Sequence, residues 1–176
     1  PEPGATLLVH GTTWPSKEVP EVLWQALIAN LCAAGHRLEI LSGGGQEYER
    51  ALRLAAQIPN ARALEPGSLM SAFDRIRTAR LVIGVDSGLT HLAAVLGRPV
   101  IGLYGSTSDR RTGVRGRFAA NLASSFGCAP CLQRECNYTG PAQLLAGKPV
   151  KPACYAELAP ERIVAAATAL LERNAG

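Results

Sequence analysis

The chain has 176 residues, of which 47% are hydrophobic and 18% are charged, enough apolar material for one globular domain or two small ones. A formal net charge of +4 favours anionic partners such as phosphates. The basic residues are not interleaved with aromatic ones, so nucleic acid is not expected as a partner. No apolar run reaches the ~18 residues of a membrane span, and no signal peptide is recognisable.

Strands and helices alternate along most of the sequence. In chain order, apolar runs and helical spacing predict a strand at 5–10, a helix at 19–34, a strand at 37–41, a helix at 46–58, a strand at 61–64, a helix at 68–79, a strand at 81–85, a helix at 88–96, a strand at 100–105 and a closing helix at 160–174. Ser68 suits an N-cap, and Pro160 suits the first position of the closing helix. The alternation is typical of βαβ units and predicts an α/β fold, a Rossmann-like parallel sheet with helices on both faces. A cysteine-bearing loop segment is expected at about 118–158.

Three loops that follow predicted strands carry polar side chains or glycines. "HGTTWPSK" (10–17) follows the first strand, "SGGGQE" (42–47) follows the second, and "GVDSGLTH" (84–91) follows the fourth. Ligands of open parallel sheets bind beyond the carboxyl ends of the strands. The three loops are therefore expected to meet at one site.

The last of these loops combines features that suit an anion with features that suit a sugar. Ser87 and Gly88 open a helix, whose free N–H groups and positive dipole end attract phosphate, and His91 lies one turn further on. Asp86 suits sugar hydroxyls or a cation rather than phosphate. The alternative is structural: Asp86 or Ser87 caps the helix, and His91 only fills space.

The other two loops suit the same kind of ligand. Thr12 and Thr13 offer hydroxyls and Lys17 an ammonium, a set that fits a diphosphate. Alternatively, Thr13 or Ser16 caps the next helix and Lys17 is solvated. Glu47 could bind a ribose diol, although a carboxylate is favoured in a first helical turn in any case. The residues alone predict a site for a nucleotide-linked or phosphorylated sugar, and no common nucleophile motif is present.

The motifs also resemble a known family. "HGTTWPSK", "GGGQEYERA" and "GVDSGLTHLAAVLGRPVIGLYGSTSDRRTG" are similar to the C-terminal half of the ADP-heptose:lipopolysaccharide heptosyltransferases, glycosyltransferase family 9. The threonine pair followed by lysine, and the segment "DRRTG", look closest to the heptosyltransferase I branch. The resemblance covers residues 5 to about 117 well and the closing helix loosely.

The resemblance implies a two-domain GT-B enzyme, of which residues 1–176 form the single Rossmann-like domain that binds the nucleotide sugar, while the N-terminal domain is absent from the chain. The implied roles fall into three groups: the diphosphate is held by Thr12, Thr13, Ser87, Gly88 and His91, the diphosphate–heptose junction faces Lys17 and Asp86, and the ribose meets Glu47. No metal or other cofactor is implied for the reaction.

The implied reaction is inverting transfer of L-glycero-D-manno-heptose from ADP-heptose to the Kdo sugar of lipid A, in the inner core of lipopolysaccharide. The acceptor and the catalytic base are expected in the N-terminal domain, so this chain alone should be inactive, with Lys17, Asp86 and His91 assisting. A cytoplasmic monomer working at the inner-membrane surface is expected. The alternatives are another GT-B enzyme, such as a sugar-nucleotide epimerase, and a non-catalytic nucleotide-binding module.

The chain contains five cysteines. Cys32 lies in an apolar helical stretch and is expected to be a buried core thiol. Cys128, Cys131, Cys136 and Cys154 depart from the cysteine-free form of heptosyltransferase I, although similar cysteine-rich tails occur in relatives across the family. Reduced thiols are the first expectation, a tetrahedral zinc site is the second, and disulfides come last because a reducing compartment disfavours them.

Overall fold

A six-stranded parallel sheet forms the centre of the fold in the computed structural model, which describes residues 4–56 and 58–175. Its strands are β1 (Thr6–Val9), β2 (Leu38–Leu41), β3 (Ala61–Ala63), β4 (Leu81–Val85), β5 (Val100–Tyr104) and β6 (Ala119–Ala123). They pair in the order β3-β2-β1-β4-β5-β6. This is the doubly wound order of Rossmann-like domains, and the predicted parallel sheet is confirmed.

The helices agree with the sequence pattern to within a few residues. They are α1 (Glu21–Ala33), α2 (Gly45–Ala55), α3 (Leu69–Thr78), α4 (Gly88–Val95), the short α5 (Asp109–Thr112), which the sequence did not predict, and α6 (Pro160–Ala175). The Ser68 hydroxyl caps α3 by accepting the N–H of Ser71 at 3.2 Å, and α6 begins at Pro160. Both end signals were therefore interpreted correctly.

Two apolar cores lie on the two faces of the sheet, because successive strand residues point to opposite sides. In β1, Leu8 belongs to one core, whereas Leu7 and Val9 belong to the other. The first core is covered by α1, α2 and α6, and the second by α3 and α4. Helices on both faces leave the carboxyl edge of the sheet open for a ligand.

The segment expected to be a loop at about 118–158 contains regular structure, so that prediction was wrong in part. It supplies β6, a small antiparallel hairpin of β7 (Gln143–Leu145) and β8 (Lys148–Val150), and a 3-10 turn at Ala153–Glu157. The strand β6 has the sequence AANLA, in which alanine and asparagine give no strand signal. Its pairing with β5 defines it, and that pairing is not visible in local sequence.

Cys32 departs from its prediction as well. It is half-buried and packs against the edge of the first core, whereas the sequence suggested a fully buried thiol. Partial burial raises the pKa of this thiol. Within the described ranges, no helix is both long enough and apolar enough to cross a bilayer.

Candidate functional site

The loops after β1, β2 and β4 meet at a cleft of about 920 Å³ at the carboxyl edge of the sheet. In the sheet, β1 lies between β2 and β4, so the strand order proceeds to one side of β1 from β2 and to the other side from β4. The cleft therefore lies at the topological switch point. All eight residues singled out in the sequence line it: Thr12, Thr13, Lys17, Glu47, Asp86, Ser87, Gly88 and His91. The expected meeting of the three loops is confirmed.

Asp86 follows β4 directly and connects three segments of the chain. The Lys17 ammonium lies 3.2 Å from its Oδ2, and the His91 Nε2 lies 3.3 Å from its Oδ1. The Thr112 hydroxyl donates to Oδ2 at 3.1 Å. A carboxylate offers about four acceptor positions, so most of those of Asp86 are already used by the protein.

These contacts keep Asp86 ionised although it is buried. Burial by itself raises the pKa of the carboxyl, but the hydrogen bond from Thr107 and the charge and hydrogen bond of Lys17 outweigh it, with a further hydrogen bond from His91. The net result is a pKa below the usual range. Sequence reasoning missed Thr107 and Thr112, although Thr112 lies in the motif "DRRTG" that carried the family resemblance.

The start of α4 presents backbone N–H groups to the cleft. Ser87 is the N-cap residue, but its hydroxyl lies 3.0 Å from the Thr90 hydroxyl instead of bonding a helix N–H. Thr90 in turn donates to the carbonyl of Val85 at 2.7 Å. A Cβ at Gly88 would have no neighbour within 4 Å. The Ser87 side chain therefore does not cap the helix, contrary to the structural alternative. The N–H groups at the start of α4 stay free of a side-chain cap, which is the arrangement that binds anions.

The loop after β1 holds Lys17 in place. A 3-10 turn at Pro15–Lys17 turns the chain, and the Lys17 ammonium lies 4.8 Å from the centre of the Trp14 ring. Lys17 is only 18% exposed, so it is not the solvated side chain of the alternative reading. The N-cap of α1 is Pro20 rather than Thr13 or Ser16. The hydroxyls of the two threonines are thus not used in capping.

Glu47 reaches from the first turn of α2 to the loop after β1. A Cβ built on Gly11 would collide with its carboxylate, and one on Gly43 would lie 3.1 Å from Oε2. The glycine at position 11 therefore makes room for Glu47 at the floor of the cleft. Sequence reasoning identified Glu47 but missed its dependence on Gly11.

An apolar wall completes the cleft and was not predicted. It is formed by Leu41, Leu69, Ala72, Leu89 and Leu92, next to Gly67 and Ser68 of the loop after β3. Leu69 is 71% exposed in spite of its apolar side chain. Polar motifs guided the search for site residues, so apolar positions at the start of α3 and along α4 gave no signal.

Comparison with known proteins identifies the family. The profile described as glycosyltransferase family 9 (heptosyltransferase) matches residues 2–141. The chain belongs to glycosyltransferase family 9. Among the family 9 proteins, it is 39% identical to lipopolysaccharide heptosyltransferase 1 of Pseudomonas aeruginosa over 97% of this chain and 49% of that protein.

A solved family 9 structure gives the same result. The Escherichia coli heptosyltransferase WaaC, solved with ADP, superimposes with a TM-score of 0.75 and 26% identity over 97% of this chain and 46% of that chain. The chain thus spans about half the length of the relatives it matches. The predicted family and the predicted GT-B type of fold are both confirmed.

Sugar-nucleotide epimerases are less similar. The UDP-GlcNAc 2-epimerase of Methanocaldococcus jannaschii superimposes with a TM-score of 0.54 and 14% identity over 70% of this chain and 36% of that chain. At that identity, the likeness concerns the fold alone.

Proposed function

We propose that this chain is the donor-binding half of an inverting heptosyltransferase, which transfers L-glycero-D-manno-heptose from ADP-heptose to the Kdo sugar of lipid A. The observation that carries the proposal is the convergence of Lys17, His91 and the open N-terminus of α4 in one cleft. An ammonium, an imidazole and free N–H groups together suit a diphosphate. The ADP in the E. coli WaaC structure and the ADP-2-deoxy-2-fluoro heptose in another structure of that enzyme support the choice of ligand.

The cleft offers a place for each part of a nucleotide sugar. The diphosphate would lie across the N–H groups of Ser87 and Gly88, within reach of Thr12 and Thr13. Glu47 would accept hydrogen bonds from the ribose diol, and the apolar wall would take the flat adenine ring. The heptose would then point toward Lys17 and Asp86, at the side of the cleft that the acceptor must approach.

In the proposed reaction, the Kdo hydroxyl attacks the anomeric carbon on the side opposite ADP. A new carbon–oxygen bond forms, the bond to the β-phosphate oxygen breaks, and ADP leaves with the electron pair. Lys17, His91 and the N–H groups of α4 would stabilise the charge that develops on the leaving phosphate. A base from the other half of the enzyme would accept the proton of the hydroxyl, and the acceptor would bind mainly to that half, at the cytoplasmic surface of the inner membrane.

The isolated chain is expected to bind ADP-heptose without transferring heptose. In the proposed enzyme the acceptor site and the base lie in the other half, so the isolated chain cannot hold the donor and the acceptor in position for reaction. Incubation with ADP-heptose and Kdo–lipid A, followed by mass spectrometry of the lipid, measures transfer. The intact enzyme is the positive control, and heptosylated lipid from the chain alone would place the base within these 176 residues.

ADP is expected to bind at least about tenfold more tightly than UDP or GDP, a difference of ~1.4 kcal/mol. The three nucleotides would make the same diphosphate contacts, so the difference in affinity would come from the contact between the base and the apolar wall of the cleft. Isothermal titration calorimetry with each nucleotide measures the three affinities. Equal affinities would contradict the assignment to ADP-heptose, a preference for UDP would favour the epimerase alternative, and no binding at all would favour a protein of another class.

Lys17→Ala is expected to weaken ADP-heptose binding by about 1.5–3 kcal/mol, the usual size of a hydrogen bond to a charged group. The variant removes the ammonium and also leaves the Asp86 carboxylate facing the diphosphate. Lys148→Ala removes the same charge from the exposed strand β8 and serves as the matched control. If the two variants bind ADP-heptose equally well in calorimetry, Lys17 does not contact the nucleotide sugar.

A further inference from the structure

Asp86 has a hydrogen-bond partner that the proposed donor would not claim. Lys17 and His91 contact its two carboxylate oxygens at 3.2 Å and 3.3 Å, but both are proposed to meet the phosphates when the nucleotide sugar binds. The Thr112 hydroxyl, 3.1 Å from Oδ2, comes from outside the residues that line the cleft. Once Lys17 and His91 turn toward the phosphates, Thr112 remains to orient the carboxylate, together with the hydrogen bond from Thr107.

The Thr112 hydroxyl has two acceptors within reach but a single proton to donate. One acceptor is Oδ2 of Asp86, and the other is the carbonyl of Ser108 at 3.2 Å, in the first turn of the same short helix. Hydrogen bonds to ionised acceptors are about twice as strong as those to neutral ones. The carboxylate is only 7% exposed, so water weakens this bond little. The proton is therefore directed at Asp86.

The buried end of β5 holds Thr112 at this position. The Tyr104 hydroxyl donates to the carbonyl of Thr112 at 3.1 Å and accepts the N–H of Val114 at 3.0 Å. Tyr104 is fully buried, and burial raises its pKa to about 12, so the hydroxyl keeps the proton that it donates. One phenol group thus fixes the backbone on both sides of Gly113.

A side chain from β6 holds the same turn. The side-chain oxygen of Asn121 accepts the N–H of Val114 at 2.9 Å, and its amide group donates to the carbonyl of Val114 at 3.0 Å. A Cβ at Gly113 would collide with the carbonyl of Asp109, so the chain can turn this tightly only with glycine. Both anchoring side chains stand on strands of the central sheet, and the turn is therefore a firm support for Thr112.

We propose that Thr112 is a positioning residue of the donor site, which orients the Asp86 carboxylate toward the heptose. Tyr104 and Asn121 in turn hold Thr112 in place. The inference rests on the proposed donor site and adds to it the support behind the carboxylate. Because Tyr104 and Asn121 lie outside the residues that line the cleft, their contribution reaches the sugar only through Thr112 and Asp86, and the diphosphate contacts do not depend on it.

The first test needs no ligand. In the 176-residue chain, Thr112→Val removes the hydroxyl but keeps the shape of an exposed side chain, so the variant should fold. It is expected to raise the unfolding equilibrium constant about fivefold, in the usual range for one hydrogen bond, and to have no effect when Asp86 is already alanine. Urea denaturation of the two single variants and the double variant measures this coupling. An equal effect of Thr112→Val in both backgrounds would overturn the proposal.

The second test compares ADP-heptose with ADP by isothermal titration calorimetry. Thr112→Val is expected to weaken ADP-heptose binding about fivefold and to change ADP binding less than about twofold. Thr112→Ser, which keeps the hydroxyl, should restore the wild-type ratio of the two affinities. Thr168→Val removes an exposed hydroxyl from α6 and is the matched control. An unchanged ratio in Thr112→Val overturns the positioning role, and so does an equal loss of both ligands, which would indicate a contact with the phosphates.

Tyr104→Phe distinguishes support from contact, because Tyr104 lies outside the lining of the cleft. It should weaken ADP-heptose binding as Thr112→Val does, and the two substitutions together should weaken it no further than one alone. Additive losses would show that Tyr104 does not act through Thr112. If the wild-type chain binds neither ADP nor ADP-heptose, the proposed function fails and the role toward the sugar fails with it, whereas the first test still decides whether Thr112 holds Asp86.

Discussion

Replacing Asp86 with alanine is expected to lower the free energy of unfolding by about 3 kcal/mol, the lower end of the cost of removing one member of a buried ion pair. Asp86 is only 7% exposed, and its loss leaves Lys17, His91 and Thr112 without their shared acceptor. Lys17 retains some contact with solvent, which limits the cost. Urea denaturation of the variant and the wild type measures the difference, and a loss below 1 kcal/mol would contradict the role of these contacts in the fold.

The same substitution is expected to weaken ADP-heptose binding more than ADP binding. Without Asp86, ADP still has its contacts with the ammonium of Lys17 and the start of α4, whereas the heptose loses the carboxylate that orients it in the cleft. In the intact enzyme, this misplacement should also lower turnover by about 100-fold. His91→Ala is the comparison variant, because it should weaken both ligands alike through the phosphates. If Asp86→Ala lowers stability but leaves the ratio of the two affinities unchanged, Asp86 does not act on the sugar.

The location of the site could be predicted from sequence because it depends on a rule of topology rather than on side-chain detail. Buried strands such as LVIGV are recognisable as continuous apolar runs. In a parallel sheet, the loops after such strands all reach one edge. Polar residues in those loops therefore had to converge, and the structure brings Lys17, Glu47 and Asp86 to one cleft.

The features that escaped prediction depend on contacts between distant segments. The hydrogen bond from Thr112 to Asp86 joins the loop after β5 to that after β4, and nothing local to either residue indicates it. The packing of Glu47 over Gly11 likewise joins two loops. The strand β6 exists only through its pairing with β5. In each case the tertiary arrangement, which a single sequence does not display, decides the local structure.

His10, at the carboxyl end of β1, is a buried residue whose titration should govern stability in mild acid. It is 0% exposed, and neither ring nitrogen has a hydrogen-bond partner in the described part of the chain. Burial, with a smaller contribution from the positive charge of Arg50, lowers its pKa to about 4, although the negative charge of Glu21 acts in the opposite direction. The imidazole is therefore neutral in the folded protein down to pH values at which a solvated histidine is charged.

Acidification from pH 7.5 to 4.5 is expected to cost the wild-type chain about 2.5 kcal/mol of unfolding free energy through His10, since one pKa unit corresponds to ~1.4 kcal/mol. The unfolded chain takes up a proton near pH 6.5, but the folded chain does so only near pH 4, so stability is complete above pH 6.5 and is lost as the pH falls between these values. His10→Phe keeps a ring at this position and cannot be charged, so its stability should vary less with pH. Burial also lowers the pKa of His36, which is present in both proteins and cancels in the comparison. Chemical denaturation across this pH range measures both curves, and parallel curves would show that His10 is not the group responsible.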